Sequence, residues 1–425
     1  MQHAMEAFHQ AFERCDAPMV RQLFAQFPTF RERINEPLFP FDAPAIVAFA
    51  KDPAMVDVLL EAGADPNRRS DWWAGGFHAL HSATGKAAEL LLAAGAIPDA
   101  CALSHLDRVD LLAAMLADDP ACVHERGGDG QTPLHFARSR EVIDLLLDAG
   151  AEIDARDVDH RATAAEWMLD RKVDAGRYHL ARYLVSRGAT TDIFLATALG
   201  LDERVRVMLT DDSTLLDART GQGAYAEQPP SSYHIYFWTI GGNRSALDVA
   251  LQFEHPELLD IMLAFATPSQ RLLLACHRGD GTEAAALVRA HPDLVASLTE
   301  DDHRAIADAA WQGDATAVAL MLELGFDPRV AGHDAGTALH CAAWYGSPET
   351  VAVLLGHPDA KSLLTLRDSA HHGTPFGWCC HGSLHGPKGH DHAGVARLLI
   401  EAGTPIDDEI EASEAVLDVL AGRAL

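Results

Sequence analysis

The stretch that most constrains this chain is residues 332–356, GHDAGTALHCAAWYGSPETVAVLLG, because fragments of its pattern recur from end to end. A loop closing on Gly-Thr-Ala-Leu-His runs into Cys-Ala-Ala-Trp-Tyr-Gly, which reads as a short helix with small residues along one side. Pro-Glu-Thr-Val-Ala-Val-Leu-Leu then reads as a second helix with an apolar stripe. A chain of 425 residues would ordinarily suggest about three domains. A repeat of roughly 33 residues predicts one quasi-linear stack of helix–turn–helix units instead.

The unit resembles the ankyrin repeat, whose Thr-Pro-Leu-His, Ala pair, Gly and Val/Leu-rich helix are nearly complete here, with Ala338 in the place of proline. That resemblance implies an all-α solenoid of stacked helix pairs, about twelve units over 1–425. Residues 1–42 read as an N-terminal cap, with more apolar residues than a repeating unit needs, and 409–425 as a C-terminal capping helix. Between them, the endings Gly-Ala-Asp-Pro at Gly63 and Gly-Ala-Ile-Pro at Gly95 are one repeat apart, and the glycine supplies a left-handed stop after each second helix. Residues 127–154 hold the fullest match outside 332–356, 101–124 form a looser unit, and 157–192 keep Thr163 but replace Pro-Leu-His by Ala-Ala-Glu.

Charge narrows the range of partners. Acidic residues outnumber basic ones 62 to 33, for a net charge of −29, and such a field repels phosphate backbones. Nucleic acid is therefore not an expected partner. The N-terminus, MQHAMEAFHQAFERCD, lacks the basic start and apolar run of a signal peptide, and no run of about 18 apolar residues follows. No membrane partner and a cytoplasmic location are expected. Seven cysteines without a Cys-x-x-Cys pair suggest neither a disulfide framework nor a ribbon-type zinc site.

The largest break in the pattern is 218–244, ARTGQGAYAEQPPSSYHIYFWTIGGNR, with three of the six tyrosines plus Phe237 and Trp238. Its Pro-Pro, Ser-Ser and Gly-Gly pairs forbid a long helix. Two readings stand: a segment packing its rings onto neighbouring loops, or a wall of a binding groove presenting Tyr236, Trp238 and Arg244.

Aligning the units on the ends of their first helices places His277–Arg278, Trp311–Gln312, Trp344–Tyr345 and His381–Gly382 at the same two positions of successive repeats; upstream the slots hold Ala198–Leu199 and Gln252–Phe253. In proteins this chain resembles, these positions face the concave side and vary with the partner. Stacking would line them up as a ladder with rungs about 10 Å apart, the spacing of packed helices. Trp and Tyr give stiff contact area, while His and Arg give polar anchors; the alternative is packing between repeats. A second register, the loop tips, places His333 and Asp334 in one repeat and Ala370 and His371 in the next, with His372 beside them. Earlier tips supply Asp129, Gln131, Asp159 and His160. Tips and inner helices border one groove in this family.

Residues 371–392 hold six His and two Cys, and His381-x-x-x-His385 has a spacing found among zinc ligands. Cys379 and Cys380 align, however, with the buried Ala342–Ala343 pair, so no metal and no cofactor are expected. His333–Asp334 could form an acid–base pair, but no nucleophile-elbow, zincin or phosphate-loop motif names a reaction. His81, His135 and His340 occupy the Thr-Pro-Leu-His position, where the resemblance implies that the imidazole ties one loop to the next. Trp167 and Trp378 share a slot suited to core or binding alike. The resulting expectation is a recognition scaffold for a protein or peptide. The alternative is an enzyme or small-molecule receptor whose pocket lies between the C-terminal repeats and 218–244.

Overall fold

The computed structural model describes residues 2–170, 175–386, 388–406 and 410–422, and at 2–6, 9, 175 and 333 the backbone alone. Among them twelve helix pairs succeed one another, from Gln2–Glu13 with Ala17–Gln26 to Pro375–His385 with His392–Glu401, and Glu414–Leu420 follows singly. Shorter helices fill some connections, and among the described residues no strand forms beyond isolated bridges. The fold is all-α. Of the two expected end segments, residues 1, 409 and 423–425 lie outside the described residues. Contacts divide the chain into two compact units, Met1–Leu258 and Leu259–Leu425.

Local chemistry sets each pair. Second helices start on a side-chain cap, as where Asp52 accepts from Ala54 and Met55, Asp314 from Ala317 and Ser347 from Thr350. First helices start on a reciprocal box. The Thr132 and Thr337 amides each donate to the Nδ1 of the His three residues on, at 3.1 Å in both cases. The opposite nitrogen of that ring then donates to a carbonyl of the next repeat: His135 Nε2 to Ala162 at 3.0 Å, and His340 Nε2 to Gly373 at 3.2 Å. The same job is done elsewhere by carboxylates, Glu166 for Thr163 and Asp248 for Ser245. At His81, whose helix is a single tight turn, Ala79–His81, the outward nitrogen meets Asp99 at 3.0 Å instead of a carbonyl.

In the first unit the N-terminal pair gathers phenylalanines. Phe12 is buried, with Phe8, Phe24, Phe39 and Phe49 at centroid distances of 4.5, 6.4, 5.2 and 5.0 Å. In the second unit a continuous apolar core runs from Leu272 through Leu339 and Leu354 to Val416. Insertion 218–244 folds into short turns, Gly223–Tyr225 and Tyr236–Thr239, within the first unit. Tyr225 and Tyr236 both donate to Asp192 at 2.9 Å, and their rings lie 5.0 and 5.6 Å from Phe194. Packing onto neighbouring elements therefore accounts for these rings.

Candidate functional site

The second unit assembles its site from small residues upward. Ala309–Ala310, Ala342–Ala343 and Cys379–Cys380 are all buried, so Ala338–Tyr345 packs closely against both Ala305–Trp311 and Pro375–His385. The approach is tightest at Gly382, where a Cβ would fall 2.5 Å from the Trp344 carbonyl oxygen. This closeness brings the aligned slots side by side. The Trp311 and Trp344 indoles stack at 5.8 Å with 11° between planes, and Trp344 meets the His381 ring at 5.3 Å and 33°. The rungs are thus closer than the roughly 10 Å expected from helix spacing, because flat rings lean across the gap between the helices that carry them. His392 Nε2 donates to the Trp344 carbonyl at 2.9 Å and pins that helix end.

Loop tips close the other side. Asp368 accepts from the amides of His371 at 2.5 Å and Gly373 at 2.8 Å, and its Oδ2 also accepts from Trp378 Nε1 at 2.9 Å. Trp378 is buried, yet one edge faces the tip of the neighbouring repeat, and its ring stands 6.2 Å from Trp311 at 81°. A Cβ on Gly336 would meet that indole at 2.5 Å, so the Asp334 loop passes close over it only because the position is glycine. The outcome is a pocket of about 380 Å³ lined by Trp311, Asp334, Trp344, His371, Trp378 and His381, with Gly373 and Gly377 between them. Burial, with His385 and His371 nearby, lowers the His381 pKa and favours its neutral form. Three indoles, two imidazoles and a carboxylate suit a ligand with an apolar stem and a cationic end.

Other expected site residues lie off this wall. His277 is half-buried and Arg278 exposed. The Gln312 amide donates back to the Asp308 carbonyl at 2.9 Å. The Tyr345 ring turns toward His390, 4.2 Å away, and lies against Gly313. The side chain of His333 lies outside the described residues. Tyr236 is wholly buried with its hydroxyl on Asp192, which corrects the expectation that it contacts a ligand: the ring belongs to the core. Trp238 is 60% exposed, and the Arg244 backbone pairs with Thr220. These three belong to the first unit, and the Trp-lined pocket is built without them. The upstream slots Ala198, Leu199 and Phe253 are buried as well.

His381 and His385 have ring centroids 4.5 Å apart, while Cys379 is buried with its thiol on the His392 carbonyl at 3.3 Å. Among the described residues, the groups that bring three potential metal ligands within 4.8 Å are His81, Asp99, Cys101 and Asp129, Asp159, His160. In the first, Arg69 and His81 both pair with Asp99. Burial alone would raise that carboxyl's pKa, but these partners draw it well below the usual range.

The first unit also holds a cleft that the repeat alignment missed, about 360 Å³, with Phe77, His105, Asp129, Arg138 and Trp167 among its walls. His105 occupies the slot of Trp344. Its helix is followed by Asp107, at φ 55°, in the left-handed position held by Gly200, Gly279, Gly313 and Gly346 in other repeats and by Glu254, at φ 61°, in another. Burial, together with Arg138 and Arg177, lowers the His105 pKa to about 3.

Capped helix pairs and a threonine–histidine tie between neighbours define a stacked helical-repeat protein. The sequence model of the ankyrin repeat matches at residues 129–158 and 336–363. The chain carries ankyrin repeats at these two places. Among solved structures it is similar to the ankyrin repeat domain of Bcl-3, a unique member of the IkappaB protein family, at 18% identity with a TM-score of 0.29, covering 55% of this chain and 99% of that one. No curated protein matches.

Proposed function

We infer that this protein is a recognition scaffold that binds a protein or peptide partner, and that a basic side chain of that partner enters the pocket between Trp311, Trp344 and Trp378. The observation that carries the reading is the pocket itself: the Trp311 indole pairs with those of Trp344 and Trp378 along its lining, with Asp334 at the rim. Aromatic faces attract a lysine or arginine head by their quadrupole, by about 0.5–2 kcal/mol, and the stem of the side chain lies against apolar ring surface. The net charge of −29 favours the same partner through long-range attraction. Ankyrin repeats serve protein interaction in general, and the groove between tips and first helices is where such a partner would lie.

The test is titration of tryptophan fluorescence with a peptide of alternating Lys and Gly and with its Glu counterpart. The basic peptide should saturate the signal, and binding should weaken in Asp334→Asn and again in Trp344→Ala. Equal response to both peptides, or no effect of either substitution, would remove the basis for this reading.

A further inference from the structure

The tip cluster of the first unit is a separate piece of chemistry. The amides of Val158 and Asp159 donate to the Asp129 carbonyl at 2.9 and 3.1 Å, which joins the tips of two successive repeats. Asp129 and Asp159 are buried there, at 6% and 1% exposure, with Asp157 beside them at 4%. Among the described residues no lysine or arginine lies within ion-pair distance of Asp129, Asp157 or Asp159; Arg161 acts on Asp157 and Asp159 from farther off, and the His160 Nε2 lies 3.8 Å from Asp159 Oδ2. Burying three carboxylates with no cation in direct contact is unfavourable.

Each of the three converging side chains is held from behind. His160 Nδ1 lies 2.9 Å from the Tyr233 carbonyl, which can only accept, so Nδ1 bears the proton and Nε2 of the neutral ring keeps its lone pair. Asp159 accepts from the Ser232 amide at 2.8 Å and from its hydroxyl at 3.2 Å. Asp129 Oδ1 accepts from Trp72 Nε1 at 3.0 Å. Orientation of ligands by such outer partners is the usual construction of a metal centre. A 3.8 Å gap is too long for a hydrogen bond, yet it suits two ligands sharing one ion at about 2.0–2.2 Å each.

An internal comparison separates the turn from the cluster. The loop at 368–374 repeats the loop at 157–163: Asp368 caps it as Asp157 does, His372 and Arg161 both have positive φ, and His371 matches His160. At the position of Asp159 it has Ala370. The turn therefore forms without the second carboxylate, and Asp159 is an addition supported by the aromatic insertion.

We propose that Asp129, Asp159 and His160 bind a divalent first-row metal ion such as zinc, with the remaining coordination positions open to water or a ligand. Two carboxylates and one imidazole suit such an ion better than calcium, which takes oxygen donors. Asp129 also lines the 360 Å³ cleft, which gives the ion a route in.

The experiment uses the full chain stripped by chelator and titrated with Zn²⁺ by calorimetry and with Co²⁺ by absorption and tryptophan quenching; Trp72 lies on one ligand and Trp167 has its ring 5.2 Å from His160. The expected result is one ion per chain, a rise in melting temperature, and at least a 100-fold loss of affinity in His160→Gln. Trp72→Phe, which leaves every ligand in place, should lose roughly tenfold. Should Asp159→Asn fail to fold for want of its Ser232 bonds, His160→Gln and Trp72→Phe still carry the test. Absence of saturable binding by the folded wild type would overturn the proposal. So would binding unchanged in His160→Gln, or binding abolished by His381→Gln or His385→Gln instead.

Discussion

Replacing Trp344 by alanine separates binding from packing in the second unit. The indole is half-buried and rests on the apolar core, with Trp311 stacked at 5.8 Å and His381 at 5.3 Å. Truncating a fully buried tryptophan costs roughly 3–5 kcal/mol. Half that burial gives about 2 kcal/mol, within which the ring pairing accounts for about 0.5–1.5. For a unit of this size, that is a fall in melting temperature of about 4–8 °C. A central contact residue should in addition lose about 2 kcal/mol or more of binding, near 30-fold in affinity. Denaturant unfolding and a fluorescence titration with the basic peptide on the same variant give both numbers. Trp344→Phe, which retains a ring over Trp311, should recover most of the stability and part of the affinity. A loss above about 4 kcal/mol with unchanged affinity would show that the stacked rings serve packing alone.

Leu134→Ala and Leu354→Ala, at sites 1% and 0% exposed, should each cost about 2–5 kcal/mol in chemical unfolding, and an unchanged midpoint in both would contradict the stacked core. Gly382→Ala should destabilise by about 1–3 kcal/mol, since its Cβ would meet backbone rather than a yielding side chain; normal melting would show that the helices have room to part. Burial, above all, holds His78, His105 and His135 at about 4, 3 and 4, against 6.5 when unfolded. The unfolded chain therefore takes up protons first, so this stabilisation is complete above pH 6.5 and lost as pH falls through about 4. Burial also raises Asp129, to about 7, and Asp157 and Asp192, which act in the opposite sense, but His340 and the depressed carboxyls of Asp99, Glu166 and Asp368 act with the three imidazoles. Stability measured at pH 7 and pH 4.5 should fall with acidification, and a flat profile would count against these buried neutral imidazoles.

Much of the architecture is legible in local chemistry. Asp, Ser and Thr caps, glycine stops and the threonine–histidine box act within a few residues, so they can be read directly from sequence. Aligning unit on unit likewise put Trp311, Trp344 and His381 in one slot, because a stack repeats its geometry every unit. His105 shares that slot too, before a left-handed Asp107 where Gly346 follows Trp344–Tyr345.

Distances and directions across repeats were beyond that reach. Sequence left Tyr236 open between packing onto neighbouring loops and the wall of a groove; its hydroxyl reaches Asp192, 44 residues earlier, and its ring is core. Trp378 reads equally as core or contact; the structure makes it both, since one edge bonds Asp368 while another faces the pocket beneath Gly336. The amino-acid order by itself determined the helix pairs, their caps and the residues that share a slot, because each depends on local backbone geometry or on the repeat period. Which rings touch, which carboxylates converge at 129 and 159, and which face of an indole stays open were decided only by tertiary packing, where segments distant along the chain meet within a few ångströms.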